Sequence, residues 1–159
     1  MRIAAIAAAF LLALASGSLA QAQAGPLRAS APRHPVSGLP VIPLTVTHNG
    51  KPHLFRVEAA LSGVAQERGL MFRTSMGADE GMIFPMKPAR PASFWMKNTI
   101  LSLDIIFIGT DHRVLNIAER AQPYSEMPLF SAGLVSAVLE LNGGRAAQLG
   151  IAPGDLVTW

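Results

Sequence analysis

The chain has 159 residues, half of them hydrophobic and 14% charged, with a formal net charge of +3 at pH 7. The absence of cysteine from the sequence excludes thiol nucleophiles, iron–sulfur clusters, cysteine-based zinc sites and disulfides. The basic residues are few and scattered, without a run of Lys or Arg, so the sequence predicts no nucleic-acid interface.

Residues 1–24 have the pattern of a secretory signal peptide. Arg2 gives a short basic start, residues 3–14 are apolar and uncharged, and small residues up to Ala24 suit cleavage by a signal peptidase. The apolar run is shorter than the ~20 residues of a membrane-spanning helix. We therefore expect cleavage, no stable membrane insertion afterwards, and a periplasmic or secreted mature chain.

Residues 25–40, with the sequence GPLRASAPRHPVSGLP, contain four prolines and little apolar content. This composition is typical of a linker that does not pack against a domain. Residues 41–159 are then predicted to form a single globular domain, since about 120 residues is an ordinary domain size.

The domain begins with a predicted hairpin. Residues 41–47 alternate as a strand does, and Pro43 favours an edge position because it cannot donate a ladder hydrogen bond. The Asn49-Gly50 pair is typical of a tight turn, which leads into a second strand over residues 53–59. This first strand edge could therefore be open to a partner.

A short helix and further strands follow the hairpin. Ser62 is a predicted cap for a helix over residues 63–68, which Gly69 ends. Its charged residues Glu67 and Arg68 are interpreted as a solvated face. A second helical turn is expected at residues 144–149. Short segments rich in apolar residues predict the remaining strands: 81–86, 92–97, 103–109, 113–121, 135–141 and 155–159.

These elements predict a β-rich α+β fold with one or two short helices. Because the connections are mostly short, we expect a mostly antiparallel sheet. We expect this sheet to form a closed or half-closed barrel, which would protect its edges.

Five sequence motifs occur in an order that resembles the family called domain of unknown function 192. The motifs are ERGLMFR (67–73), GMIFPM (81–86), FWMKNTILSLDIIFI (94–108), VLELNGG (138–144) and LGIAPGD (149–155). The resemblance implies a compact β-rich fold that is often exported, and it implies no activity. Ser102 and His112 depart from the family pattern, which usually has Pro and Gly at these positions.

The segment FWMKNTILSLDIIFI also contains polar residues among apolar ones. We expect residues 92–97 and 103–109 to pair as a hairpin, with Lys97 opposite or diagonal to Asp104. In one interpretation, Lys97, Asn98 and Asp104 form the polar floor of a pocket. In the other, Asp104 accepts hydrogen bonds from turn amides and Lys97 extends to solvent.

Two further residues are candidates for the same pocket. Arg73 follows three apolar residues and could bind a carboxylate or phosphate with two hydrogen bonds, or could tie its own loop to backbone carbonyls or Glu67. Trp95 could be a ligand platform at a pocket wall or an ordinary core residue. Trp159 is expected to cover one end of a barrel.

Several reactive sites were considered and are not predicted. The sequence has no Gly-x-Ser-x-Gly elbow and no phosphate-binding loop with its Lys-Ser/Thr pair. No pair of His residues has the spacing of a metal site, so no metal or cofactor is predicted. Six methionines leave copper binding as a minor alternative: Met71, Met76, Met82, Met86, Met96 and Met127.

The main functional hypothesis is an exported domain that binds a small anionic or polyhydroxylated ligand of the cell envelope. The predicted ligand-binding residues are Arg73, Trp95, Lys97, Asn98 and Asp104. The alternative is an accessory or protein-interaction module of the envelope without pocket chemistry, which would use an exposed strand edge. The sequence leaves open whether the protein is an enzyme or a binder, and we expect a monomer.

Overall fold

The computed structural model of the protein describes residues 31–159. The predicted signal peptide, residues 1–24, and the first part of the predicted linker lie outside the described residues. Within the described part of the chain, no helix combines the length and the apolar character needed to cross a bilayer.

Within residues 31–159, nine strands form two sheets. The larger sheet has seven strands in the order β6-β5-β8-β3-β2-β1-β9, and β4 pairs with β7 in a separate ribbon. The strands are β1 (Val41–His48), β2 (Lys51–Ala59), β3 (Glu80–Arg90), β4 (Ser93–Phe94), β5 (Leu103–Gly109), β6 (Val114–Ala121), β7 (Leu129–Phe130), β8 (Val135–Asn142) and β9 (Leu156–Thr158). Two short helices, α1 (Gly63–Arg68) and α2 (Arg145–Leu149), complete the domain.

The large sheet confirms the predicted β-rich, mostly antiparallel fold. Its only parallel neighbours among the described strands are β2 and β3, which α1 connects. The sheet does not close into a barrel. Its edge strands approach each other at one end through an isolated bridge between Arg113 and Leu156.

The β1–β2 hairpin forms at the predicted turn. Asn49 and Gly50 both have positive φ, as a type I′ turn requires. The predicted edge position of β1 is wrong over its second half, because β9 pairs with Thr45–Thr47. Pro43 lies outside that pairing, so its missing N–H interrupts no ladder.

The predicted hairpin between residues 92–97 and 103–109 is wrong. Only Ser93–Phe94 is extended there, and it pairs with β7. β5 instead pairs with β6 and β8, which are long enough to match it. The physical reason is that β5 is buried along its whole length and needs a full-length neighbour on each side.

The sheet buries a hydrophobic cluster on each of its two faces. The first cluster contains Ile106, Ile108 and Leu139 and packs against α2. The second contains Met82, Ile105 and Phe107 and lies beneath α1 and the loops around residues 92–101. We call these the α2 face and the α1 face of the sheet. A strand residue belongs to one or the other according to the two-residue alternation of side chains.

Residues 33–40 pack against the domain, although a linker that does not pack was predicted there. Arg33 and Pro40 form a β-bridge, and the Val41 backbone N–H donates to the Pro32 carbonyl at 2.7 Å. Leu39 packs against the hydrophobic cluster of the α1 face. A buried ion pair, described below, also holds this segment against the domain.

Candidate functional site

A cleft of about 850 Å³ opens on the α1 face of the sheet. Its walls are α1 with the loop that follows it, the end of β3 and residues 91–99, and β8 contributes to its floor. We call it the α1 cleft. Its polar and aromatic lining includes Arg68, Arg90, Trp95, Lys97, Asn98 and Glu140.

The wall formed by α1 is held in place by its two ends. The Ser62 hydroxyl accepts a hydrogen bond from the Ala65 N–H and caps the helix as predicted. Gly69 ends the helix with a φ of 47°, and a Cβ there would lie 3.5 Å from the Phe84 ring. The chain can therefore turn tightly towards the sheet, and Leu70 becomes buried.

The opposite wall is held by backbone hydrogen bonds. The Phe72 N–H donates to the Asn98 carbonyl at 2.9 Å, which joins the two walls at one end of the cleft. The Tyr124 N–H donates to the Thr99 carbonyl, and the Met96 N–H donates to the Ser125 carbonyl. These contacts fix residues 96–99 as a turn rather than a strand.

This turn brings three predicted site residues together. The Lys97 ammonium lies 5.2 Å from the centroid of the Trp95 ring, in a cation–π arrangement. The Trp95 side chain is 50% exposed and therefore available to a ligand. Asn98 has a φ of 53°, and its amide approaches the Met71 sulfur at 3.9 Å.

Glu140 was not predicted as a site residue, yet it is the buried acid of the α1 cleft. It lies in β8 between Met82 of β3 and Ile105 of β5, and it is only 5% exposed. Burial in these apolar surroundings raises the pKa of its carboxyl group from 4.5 to about 8. Among residues 31–159, its carboxyl group has no hydrogen-bond or ion-pair partner.

A glycine allows β3 to lie close to β8 beside this acid. Gly81 pairs with Leu141, and a Cβ at Gly81 would overlap the Glu140 carbonyl oxygen. Any larger residue would push the two strands apart at the floor of the cleft.

Arg73 does not line the α1 cleft. Its guanidinium forms a buried ion pair with Glu58, with distances of 2.8 Å to Oε1 and 3.1 Å to Oε2. His34 lies 3.3 Å from the same guanidinium, and the Ser37 hydroxyl donates to Glu58. Arg73 therefore ties residues 34–37 to the sheet, because a buried carboxylate requires a cation and hydrogen-bond donors.

Asp104 does not line the α1 cleft either. Its side chain is on the α2 face and fully buried, where it accepts hydrogen bonds of 2.8 Å from three backbone N–H groups. The donors are Arg120, Gly144 and Ala146. This arrangement matches the interpretation in which the carboxylate binds turn amides. Lys97 is part of the opposite face and does not pair with it.

The sequence contained a signal for Glu140. The motif VLELNGG places a carboxylate inside an apolar strand, as the segment containing Asp104 does. Arg68 is exposed, as predicted, and it lines the α1 cleft together with Arg90, for which the sequence carried no signal. Their contribution depends on tertiary contacts between α1 and the end of β3, which a linear pattern does not reveal.

No group of three or more His, Asp or Glu residues in the described part of the chain could hold a metal ion. The methionines considered for copper are divided between different environments. Met82, Met86 and Met96 are buried in the cluster of the α1 face, whereas Met127 is 74% exposed. The placement of the three buried methionines fits the ordinary role of Met as a flexible core residue.

Comparisons with known proteins identify a family and several structural relatives, of which two are described here. The family model described as Uncharacterized ACR, domain of unknown function 192 (DUF192), matches residues 44–159. A crystal structure of a protein of unknown function from Novosphingobium aromaticivorans DSM 12444 is 55% identical, with a TM-score of 0.80, and the match covers 83% of this chain and 94% of that chain. A protein from Sinorhizobium meliloti 1021, described as a candidate transcription regulator, is 41% identical with a TM-score of 0.71, covering 73% of this chain and 91% of that chain. A comparison with curated proteins gives no match.

Proposed function

Since the chain belongs to the DUF192 family, whose description names no activity, we propose from its geometry that it is an exported domain that binds a small anionic or polyhydroxylated ligand in the α1 cleft. The family match confirms the resemblance found in the sequence. The proposal keeps Trp95, Lys97 and Asn98 as ligand-binding residues. It omits Arg73 and Asp104, which do not line the cleft. It adds Arg68, Arg90 and Glu140, which do.

The charges of the cleft support an anionic ligand. Arg68, Arg90 and Lys97 supply three cations, and Glu67 supplies one exposed carboxylate. Glu140 is mostly neutral at pH 7, because its pKa is about 8. The lining is therefore positive in sum, and guanidinium and ammonium groups are strong partners for carboxylate or phosphate oxygens.

The shape and chemistry of the cleft support a ligand that also carries a ring or hydroxyl groups. Trp95 offers a half-exposed indole beside a cation, which suits the flat face of a sugar or another small ring. The Asn98 amide and the Gln66 side chain add neutral polar groups to the same lining. A volume of about 850 Å³ lies within the range of small-molecule sites.

The observation that carries the proposal is the arrangement of Lys97 and Trp95 at the rim above Glu140 at the floor. A cation, an aromatic face and a buried acid border one concave space. The backbone hydrogen bonds of the sheet do not depend on any of these three side chains. Convergent polar groups in a largely apolar cleft are the usual signature of a binding site.

We expect Lys97→Met to weaken the binding of D-glucuronate, a small polyhydroxylated anion, by about 10- to 100-fold. The reason is that the variant removes a charge-assisted hydrogen bond while keeping a side chain of similar length. The free energy of unfolding should change by less than about 1 kcal/mol, the usual value of an exposed cation–π pair. Isothermal titration calorimetry at pH 6.5 and urea unfolding measure the two effects.

Lys51→Met is the matched control, since Lys51 is exposed at the start of β2 and does not line the cleft. It should bind D-glucuronate as the unaltered protein does. D-glucose and lactate separate the contributions of hydroxyl groups and charge. The proposed function would be contradicted if the unaltered protein bound none of the three compounds.

An accessory role in the envelope remains the second candidate, and exposed apolar side chains favour it. Phe72, Tyr124 and Met127 are each more than half exposed. The edge strand first suggested for such a role, β1, is partly covered by β9. Absence of small-molecule binding would favour this alternative.

A nucleic-acid role is not part of the proposal, although one structural relative is described as a candidate transcription regulator. The net charge of +3 is low, and the sequence has no basic run. We keep the prediction that this chain has no nucleic-acid interface.

A further inference from the structure

Resting on the proposed function, we infer that Glu140 is a ligand-binding residue that acts in its neutral form. Its O–H donates a hydrogen bond to a carboxylate oxygen of the ligand, while the cations at the rim balance the ligand charge. The ligand class is therefore a small organic acid that bears hydroxyl groups, such as a sugar acid. Its affinity is coupled to the protonation of a single group at the floor of the α1 cleft.

The geometry of Glu140 carries this inference. The residue is 95% buried by neighbours that are largely apolar, and its remaining surface borders the α1 cleft. Within residues 31–159 it has no polar partner, whereas the two other buried acids described above each have several. The Glu140 carboxyl oxygens are not among the fully buried unpaired atoms of residues 31–159, so they reach the surface of the cleft. A ligand in the cleft would supply the partner that the protein does not.

The protonation state of Glu140 decides which ligand groups it can hydrogen-bond. An ionised carboxylate only accepts hydrogen bonds and would repel an anion. A neutral carboxyl group donates one, and burial keeps Glu140 in this form at pH 7 by raising its pKa to about 8. An anionic oxygen is the strongest acceptor for that donor.

The other charged groups around Glu140 are few. The end of β3 contributes one cation, α1 contributes a cation and a carboxylate, and residues 91–99 contribute a cation: Arg90, Arg68, Glu67 and Lys97. The nearest acid of β5, Asp104, faces the opposite side of the sheet. No His in the described part of the chain lines the cleft. If the affinity changes between pH 7 and pH 9 and this change is lost when Glu140 is replaced, the change therefore reports the titration of Glu140.

The first test is the binding of D-glucuronate at pH 7, 8 and 9 by the full protein and by Glu140→Gln. For the unaltered protein we expect affinity to fall about tenfold from pH 7 to pH 9, following the neutral fraction of a group with a pKa of about 8. Glu140→Gln keeps an N–H donor and cannot ionise, so its affinity should be nearly constant. An equal fall in both proteins would overturn the inference and leave the proposed function standing.

The second test observes the carboxyl group directly, by ¹³C NMR of the glutamate side chains with Glu140→Gln as the assignment control. We expect the Glu140 resonance to titrate near pH 8, and its pKa to rise further when D-glucuronate saturates the protein. A midpoint near the ordinary value of Glu, or one that D-glucuronate does not move, would overturn the inference. Absence of D-glucuronate binding at every pH would instead overturn the proposed function, and the inference with it.

Discussion

Glu140→Gln is expected to stabilise the protein by about 5 kcal/mol at pH 9, and to change its stability by less than about 1 kcal/mol at pH 4.5. The expectation follows from the pKa of Glu140, which burial raises from 4.5 to about 8. At pH 9 the native protein must hold a buried carboxylate without a partner among residues 31–159. The amide of Gln has nearly the same shape and carries no charge, so the variant avoids this cost.

The direction of the pH dependence follows from proton binding in the two states. Below pH 4.5 both the native and the unfolded protein hold the proton on Glu140, and the residue makes no pH-dependent contribution. Between pH 4.5 and pH 8 the native protein keeps the proton while the unfolded chain releases it. Native stability therefore decreases as pH rises through this interval, by about 1.4 kcal/mol per pH unit, and levels off above pH 8.

Urea unfolding at pH 4.5, 7 and 9 measures this effect as the difference between the variant and the unaltered protein. Glu126→Gln is the matched control, because it makes the same chemical change at an exposed position outside the α1 cleft. The difference in free energy of unfolding between Glu126→Gln and the unaltered protein should stay near zero at all three pH values. Parallel stability curves for Glu140→Gln and the unaltered protein would show that Glu140 titrates normally.

Two buried acids in neighbouring strands, Asp104 and Glu140, have opposite surroundings. Asp104 lies on the α2 face and accepts hydrogen bonds from three backbone N–H groups. Glu140 lies on the α1 face among apolar side chains, which favour its neutral form. The first arrangement is typical of a structural acid that holds turns in place. The second is typical of an acid kept available for chemistry or binding.

Much of the fold was predictable because local signals and burial agree. The Asn49-Gly50 turn, the Ser62 cap and the uninterrupted apolar run of β5 each specify one local structure. The predicted bounds of β5 are the observed ones. Strand pairing was misjudged, because sequence proximity suggested a hairpin with residues 92–97 where β8 supplies the better partner. The packing of residues 33–40 and the open sheet were also not predicted, since both depend on long-range contacts.

The site was less predictable, because its members come from distant parts of the chain. Trp95, Lys97 and Asn98 were predicted to lie together because they are consecutive or nearly so, and all three line the α1 cleft. Arg73 has the same local appearance, yet its partner is Glu58, which the packing of residues 33–40 helps to bury. Such long-range ion pairs leave no periodic pattern in a sequence.

Asp104→Ala is expected to destabilise the protein by about 3–5 kcal/mol. The substitution removes the acceptor of the Arg120, Gly144 and Ala146 N–H groups, and each buried donor left unpaired costs about 1–3 kcal/mol. These donors come from the end of β6 and the start of α2, so both elements should loosen. Urea unfolding measures the loss, and hydrogen exchange at the three amides locates it.

Asp111→Ala is the matched control for this change. Asp111 accepts one backbone hydrogen bond, from the exposed Arg113 N–H at 3.1 Å, and water can replace it. Its loss should therefore cost less than about 1 kcal/mol. Under conditions where Asp104→Ala remains folded, D-glucuronate affinity should also be retained, because Asp104 lies across the sheet from the α1 cleft. A stable Asp104→Ala protein that no longer binds the ligand would reverse the roles assigned to the two faces.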